Sequence, residues 1–304
     1  MSKVKNYLSL VKFSHTIFAM PFAMIGFFLG LLSISPVGIN NGNFADGTIA
    51  TVFNSRLLLT FILVFLCMVF ARSAAMGFNR WLDAHFDALN PRTAIREIPA
   101  GIISSGSAIR FVVFNCIAFI VTTYFINTIC FFLSPVALFV ILFYSYTKRF
   151  TPLCHLVLGL GLSLAPIGAY LAVTGQFSLL PLLFSFSVIF WVSGFDIIYA
   201  LQDEDFDRSH QLYSIPAWLG KKQALNISEI FHLLSAACVV YAGLYGNFGY
   251  LYWIGILVFM GMLIYQHTIV KPNDLSRVNL AFMTANGVAS VVFSCFVISD
   301  IFVR

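Results

Sequence analysis

Long apolar stretches constrain this chain more than any other feature of its sequence. Each is about as long as the ~20 apolar residues that one helix needs to cross the hydrocarbon core of a bilayer. One stretch, 108–147, is about twice that length, and we divide it near Asn127 and Pro135. The resulting spans lie at 14–34, 57–78, 108–128, 129–147, 153–175, 179–201, 223–245, 249–270 and 279–302. The sequence predicts an all-α, multi-spanning membrane protein with about nine transmembrane helices around a central cavity.

Composition excludes a water-soluble fold. The chain is 60% hydrophobic and 10% charged, whereas soluble domains carry about 25% charged residues. We expect one membrane domain over 1–304 that contacts lipid and has no nucleic-acid partner. The first apolar stretch, Ile17–Ile34, is too long for the apolar core of a cleaved signal peptide, so we interpret it as the first span. Four histidines are interpreted as packing or interfacial residues: His15, His155, His232 and His267.

The basic residues predict the orientation of the chain in the membrane. Lys and Arg concentrate in cytoplasmic loops, and nine spans with a cytoplasmic N-terminus place most of them on that side. Arg56 and Arg304 fall outside, and Arg72 lies within a span. The predicted cytoplasmic set is Lys3, Lys5, Lys12, Arg80, Arg92, Arg96, Arg110, Lys148, Arg149, Arg208, Lys221, Lys222, Lys271 and Arg277. We therefore expect an inner-membrane protein whose site faces the cytoplasm.

Two cytoplasmic loops, 79–107 and 202–222, hold most of the acidic residues, and they resemble each other. Asp83 and Asp87 are four residues apart, as are Asp203 and Asp207. Each pair is followed by the same tripeptide, Ile-Pro-Ala, at 98–100 and 215–217. The similarity indicates an internal repeat whose acidic pairs face each other across one cavity.

The first acidic motif combines Asn79, Asp83 and Asp87 at intervals of four residues. On a helix these side chains share one face, and two like charges at that spacing repel. A cation between them would remove the repulsion. Oxygen ligands without Cys or His favour a hard cation, and Mg²⁺ usually joins one or two carboxylates to a phosphate. The motif predicts a magnesium site, the alternative being a solvated helix end.

The second motif contains Asp196, Asp203 and Asp207, again predicted on one helical face. Asp196 lies inside an apolar run, where an ionisable residue normally faces a cavity and has a partner. Glu204 and Asp205 are expected to face water. The chain also places cations near the carboxylates, and arginine suits bidentate binding of phosphate. These cations are Arg72, Arg92, Arg96, Lys148 and Arg208. The alternative to phosphate binding for the cations in the loops is that they only direct the orientation of the chain in the membrane. For Arg72 the alternative is a structural ion pair, for example with Asp196.

These motifs together resemble the UbiA superfamily of intramembrane aromatic prenyltransferases, most closely the 4-hydroxybenzoate polyprenyltransferase branch. The resemblance covers essentially the whole chain. Its carriers are Asn79-x3-Asp83-x3-Asp87, Tyr199-Ala200-x2-Asp203-x3-Asp207, Asn90-Pro91-Arg92-Thr93 with Arg96 and Pro99, and Tyr144-x3-Lys148-Arg149, together with Arg72. One departure is Arg80, where many members of that branch have Asp. The Asn-Arg variant also resembles members assigned to menaquinone synthesis by the futalosine route.

The resemblance implies a chemistry for these residues. Asn79, Asp83 and Asp87 would hold one Mg²⁺, and Asp203 and Asp207 another, on the diphosphate of a polyprenyl donor. Arg72, Lys148, Arg92, Arg96 and Arg208 would neutralise the remaining oxygens. Tyr144 and Tyr199 would line the pocket, and Asp196 would orient an aromatic acid acceptor or assist proton removal. The product would belong to quinone biosynthesis.

Three alternatives to this interpretation exist. The acceptor could be a menaquinone precursor, a naphthoate or a futalosine-route acid, or a haem. A secondary transporter also buries carboxylates in a helical bundle, but transporters usually place the site at the midplane on broken helices. A non-catalytic scaffold gives no reason for two facing acidic clusters.

Overall fold

The computed structural model describes residues 3–11, 18–34 and 55–303, and the described elements are helical apart from an isolated β-bridge between Lys271 and Asp274. Lys12, His15, Arg304 and most of the predicted external loop 35–56 lie outside the described residues. The helices are α1 (Lys3–Leu10), α2 (Met20–Ile34), α3 (Ser55–Leu82), α4 (Ala84–Leu89), α5 (Ser105–Ile126), α6 (Thr128–Thr147), α7 (Cys154–Thr174), α8 (Leu179–Ala200), α9 (Glu204–Ser209), α10 (Ile215–Tyr245), α11 (Tyr250–Ile269) and α12 (Asn286–Val303).

Eight of the described helical segments are long and apolar enough to cross a membrane, and α2 is a shorter apolar helix. The predicted all-α membrane architecture is therefore confirmed. The division of 108–147 is also confirmed at Asn127. Its side chain caps α6 by accepting from the Cys130 amide at 2.9 Å and donates to the Leu171 carbonyl at 2.8 Å. Pro135 lies inside α6 instead of at the break.

Small residues let the central helices approach closely, as is usual where packing holds membrane helices together. An added Cβ at Gly26 of α2 would lie 2.0 Å from the Pro166 carbonyl oxygen of α7. At Gly159 of α7 it would lie 2.4 Å from the Ile189 carbonyl oxygen of α8. These contacts fix α7 between α2 and α8, and α8 is the helix that leads into the second acidic motif.

A π-helical turn, Leu280–Ala285, precedes α12 and is held by a buried amide. The Asn286 side chain donates to the carbonyls of Ala281 and Phe282, both at 3.1 Å. Its Oδ1 accepts from Trp191 Nε1 at 2.8 Å. The turn brings the ring of Phe282 to 4.3 Å from the ring of Tyr199, measured between centroids. The apolar core of the bundle thereby supports a residue of the second motif.

Candidate active site

Both acidic motifs lie where a long helix gives way to a short one. Asp83 separates α3 from α4 with φ −90° and ψ 5°, and Asp203 precedes α9 with φ −106° and ψ 5°. Each is followed by a helix of 6 residues. In the second motif a 3₁₀ turn, Leu201–Asp203, interrupts the helix. Because a 3₁₀ turn winds more tightly than an α-helix, the continuous helix expected from Asp196 to Asp207 is wrong.

The loop after the first motif contacts the second motif directly. Arg92 donates from Nε to Asp203 Oδ1 at 3.0 Å and from a terminal nitrogen to Asp203 Oδ2. Its other terminal nitrogen donates to the Tyr199 hydroxyl at 2.9 Å. Asn90 Nδ2 also donates to Asp203 Oδ1, at 3.1 Å. The two motifs, more than a hundred residues apart in sequence, therefore form one site.

Three of the other four motif carboxylates each contact one Lys or Arg side chain. The nitrogen–oxygen distances are 2.6 Å for Arg96–Asp87, 2.7 Å for Lys148–Asp207 and 2.9 Å for Arg149–Asp83. Asn79 Nδ2 also donates to Asp83 Oδ2 at 2.9 Å. The site thus alternates negative and positive side chains, which is the arrangement that can bind a metal–anion complex.

Lys148 lies close to carboxylates of both motifs. Burial lowers the pKa of its ammonium, but Asp207 and then Asp203 and Asp83 raise it, and the net pKa lies above its ordinary value. At Asp83 burial is the largest influence and raises the pKa of the carboxyl, with Arg149 opposing it. Lys148 therefore keeps its charge throughout the physiological range and serves as a fixed cation between the two motifs.

The donor atoms fit magnesium shared with a phosphate ligand. Within the described ranges, no three Asp, Glu, His or Cys side chains are grouped so that they could hold a metal by themselves. Mg²⁺ seldom needs such a cage, because it is usually bound by one or two carboxylates plus substrate phosphates. Asp87 Oδ2 is buried and has no hydrogen-bond partner among the described residues. The motifs thus offer oxygen ligands of the right kind on both sides of one site.

An apolar cavity of about 390 Å³ adjoins the polar residues. Arg72 and Tyr144 line it towards the C-terminal ends of α3 and α6, and Phe177, beyond the C-terminal end of α7, lines it at the opposite end. Its walls come from α3, α5, α6 and α7 and are almost entirely hydrocarbon, including Met68 and Val140. The cavity is thus lined almost entirely by apolar side chains, with the charged Arg72 in its wall.

One predicted cation lies apart from the aspartates. Arg208 donates to Glu204 at 3.0 Å and to the Ala217 carbonyl at 3.3 Å, and its side chain is exposed. The expectation that Glu204 faces water is wrong, because it is buried between Arg208 and Lys221. Asp205 is exposed, as expected. A buried carboxylate at this position needs the positive partners that α9 and α10 supply.

Three residues at the site were not assigned a role from the sequence. Arg149 pairs with Asp83, and its position directly after Lys148 in the sequence could have indicated that it belongs to the site. Asn90 opens the Asn-Pro-Arg-Thr run and contacts Asp203. His155 contacts Asp196, with 2.7 Å between Nδ1 and Oδ2. No spacing in the sequence connects that histidine to the motifs.

Comparisons with known proteins show the family and the fold that the chain matches. The family model described as UbiA prenyltransferase family matches residues 46–288. A 4-hydroxybenzoate octaprenyltransferase of Aliivibrio fischeri (strain MJ11) is 32% identical, over 78% of this chain and 82% of that protein. The apo structure of a UbiA homolog from Aeropyrum pernix K1 is 32% identical, with TM-score 0.79 over 94% of this chain and 98% of that one. A UbiA homolog from Archaeoglobus fulgidus bound to DMAPP and Mg²⁺ has the same fold, with 19% identity and TM-score 0.70 over 98% of this chain and 100% of that one.

Proposed function

Because the chain belongs to the UbiA prenyltransferase family, we propose that it transfers a polyprenyl group from a polyprenyl diphosphate to an aromatic acid of the 4-hydroxybenzoate type. The observation that carries the proposal is the contact of Asn90 and Arg92 with Asp203. It joins the two acidic motifs into one site. Tyr144, which interacts electrostatically with Asp83, lines the apolar cavity. A related protein is named for the octaprenylation of 4-hydroxybenzoate, and a structural neighbour was solved with a prenyl diphosphate and Mg²⁺.

Magnesium is the proposed cofactor. Asn79, Asp83 and Asp87 would hold one ion, and Asp203 and Asp207 the other. Bound there, Mg²⁺ supplies Lewis-acid stabilisation of the negative charge on the leaving diphosphate. Arg92, Arg96 and Lys148 already contact these carboxylates, so they are within reach of diphosphate oxygens held by the same groups. Fixed cations aimed at developing charge are among the largest sources of catalysis.

The polyprenyl tail is proposed to occupy the apolar cavity. Arg72 and Tyr144 would mark the end at which the diphosphate and the reacting carbon lie. The face of Tyr199, over which the Arg92 guanidinium sits 5.2 Å from the ring centroid, would border the reacting centre. Buried walls exclude water, which would otherwise capture an allylic cation.

The acceptor and the cellular location complete the proposal. An aromatic acid of quinone biosynthesis is favoured by the relatives' names, and a menaquinone precursor is the second candidate because Arg80 departs from the more frequent Asp. The chain from 1 to 304 would act as one domain in the inner membrane, with its site towards the cytoplasm. The transporter and scaffold alternatives are set aside, since the family is one of prenyltransferases.

Purified protein incubated with Mg²⁺, polyprenyl diphosphates and a panel of aromatic acids tests the function. We expect a prenylated acid, and we expect Asp83→Asn and Asp203→Asn to abolish its formation while leaving the melting temperature near that of the wild type. Asp205→Asn is the matched control, because Asp205 is exposed in the same loop as Asp203. Normal turnover by either motif variant would refute the metal assignment.

A further inference from the structure

His155 is fixed as a hydrogen-bond donor to Asp196. It lies in the first turn of α7 and is 2% exposed. Its Nε2 accepts from the backbone amide of Ile215 at 3.3 Å. An imidazole nitrogen that accepts carries no proton, so in the neutral ring the proton is on Nδ1. That nitrogen lies 2.7 Å from Asp196 Oδ2, and the start of α10 therefore sets the tautomer that binds the carboxylate.

The histidine has little freedom to move. Its own carbonyl accepts a hydrogen bond from the Ser193 hydroxyl of α8 at 3.1 Å. One turn further along α7, the close approach of Gly159 to Ile189 fixes the crossing of α7 and α8. Three helices, α7, α8 and α10, thus hold the imidazole in place. Such rigid support is typical of a group that orients a reacting side chain.

Asp196 is the more accessible member of the pair. Its side chain is 23% exposed, against 3% for the His155 side chain. Oδ2 is engaged by His155, while Oδ1 accepts no hydrogen bond from any described residue. Asp196 also interacts electrostatically with Tyr144, which lines the apolar cavity. The geometry leaves one carboxylate oxygen beside the place where the two substrates would meet.

We propose that His155 is a positioning residue that holds Asp196 so that Oδ1 takes the ring proton of the aromatic acceptor, an inference that rests on the proposed function. The allylic C–O bond breaks, and its electron pair leaves with the diphosphate. A ring carbon forms the new C–C bond to the allylic carbon. The proton on that ring carbon then passes to Asp196 Oδ1, and its bonding pair restores the aromatic ring. In this arrangement His155 orients the carboxylate of Asp196, and the carboxylate, not the histidine, contacts the substrate.

Two variants, each isosteric with part of the imidazole, separate the positioning role of His155 from the effect of its size. In His155→Asn the amide nitrogen falls near the position of Nδ1 and can still donate to Asp196. In His155→Gln the amide reaches the position of Nε2, so the contact with the Ile215 amide is kept and the donor to Asp196 is lost. We expect the Asn variant to transfer within about 3-fold of the wild type. We expect the Gln variant to lose about 10–100-fold in kcat, less than the ~10²–10⁴-fold worth of the proton acceptor itself.

Two further measurements exclude a general structural effect. In the absence of an acceptor, slow hydrolysis of the donor, in which water captures the allylic carbon, releases diphosphate and reports the donor site alone. This release should be unchanged in both variants. An acceptor deuterated at the prenylated ring carbon should show a larger kinetic isotope effect with His155→Gln than with the wild type, because proton removal becomes the slower step. A purely structural defect would lower diphosphate release together with transfer and leave the isotope effect unaltered.

The outcomes distinguish the inference from the function on which it rests. Equal transfer by the Asn and Gln variants, or a loss of diphosphate release in parallel with transfer, would overturn the role of His155. Asp196→Asn provides an independent check, since it should lose transfer by ~10²–10⁴-fold while keeping diphosphate release. Near-normal transfer by Asp196→Asn would also overturn the inference. If the wild type prenylates none of the acids, the proposed function itself is wrong.

Discussion

Substituting Arg92 by lysine tests whether the site needs the planar geometry of the Arg92 guanidinium, and not only its positive charge, where the two motifs meet. Arg92 donates from three different nitrogens, two to Asp203 and one to Tyr199. A lysine ammonium keeps the charge but cannot reproduce this planar fork. It can replace one of the contacts to Asp203, so one hydrogen bond to a charged acceptor and one to a neutral acceptor, the Tyr199 hydroxyl, are lost.

The size of the effect follows from those two bonds. A hydrogen bond to a charged group contributes about 1.5–3 kcal/mol, and a neutral one about 0.5–1.5 kcal/mol. The Arg92 side chain is 31% exposed, so water recovers part of the loss. We expect a net cost of about 1–2 kcal/mol in transition-state stabilisation, which corresponds to roughly a 5–30-fold fall in kcat/KM for the polyprenyl diphosphate.

Initial rates at saturating Mg²⁺ and varied polyprenyl diphosphate measure this fall. Arg110→Lys is the matched control, because Arg110 is exposed and its contact is with Ser107 near the start of α5. Tyr199→Phe removes only the bond to the neutral hydroxyl acceptor and should lower kcat/KM by about 2–10-fold. The double variant of Arg92 and Tyr199 should be less than additive, since the bond between them is lost only once. An Arg92→Lys enzyme with wild-type kcat/KM would refute the reasoning.

Other expectations concern the metal and the membrane helices. Chelation of divalent cations should abolish transfer and added Mg²⁺ should restore it, and transfer that persists in excess chelator would contradict the cofactor assignment. Asp300 caps α11 by accepting a hydrogen bond from the Gly249 amide at 2.8 Å. We therefore expect Asp300→Ala to destabilise the fold by about 1–2 kcal/mol. The measurement is a lower melting temperature with an unchanged kcat at low temperature. Gly26→Ala should lower the free energy of unfolding by about 1–3 kcal/mol, because the new Cβ would contact Pro166. Gly261→Ala is the control and should melt like the wild type, because its new Cβ would have no neighbouring heavy atom within 4 Å. Equal melting temperatures of the two variants would refute the packing argument.

The sequence predicted the parts of this molecule that depend on local pattern. Apolar length alone indicated the spans, because lipid requires helices whose backbone groups are satisfied within the segment. The run 108–147 was divided near Asn127 and Pro135 because it is too long for one span, and the break falls at Asn127, which caps α6. The acidic pairs were found because four-residue spacing is a helical signal.

The contacts between distant segments could not be predicted in the same way. Which cation faces which carboxylate depends on how helices cross: Arg149 pairs with Asp83, whereas the exposed Arg208 turns to Glu204. His155 was interpreted as a packing or interfacial residue, since no spacing in the sequence connects it with its partner Asp196 on another helix. The π-helical turn before α12 is equally invisible in local composition. Each of these features is set by tertiary packing, which single-sequence periodicity does not encode.

The acidic pairs also indicate why one half of the chain cannot form the site alone. Asp83 and Asp203 have the same backbone conformation and begin short helices of equal length, which supports the internal repeat. The matching tripeptides have diverged, since 98–100 lies in turns and 215–217 begins α10. The carboxylates of the second half are nevertheless neutralised by cations of the first, Asp203 by Arg92 and Asp207 by Lys148. Because a buried carboxylate without its partner is strongly destabilising, we expect the second half to require the first for a stable site.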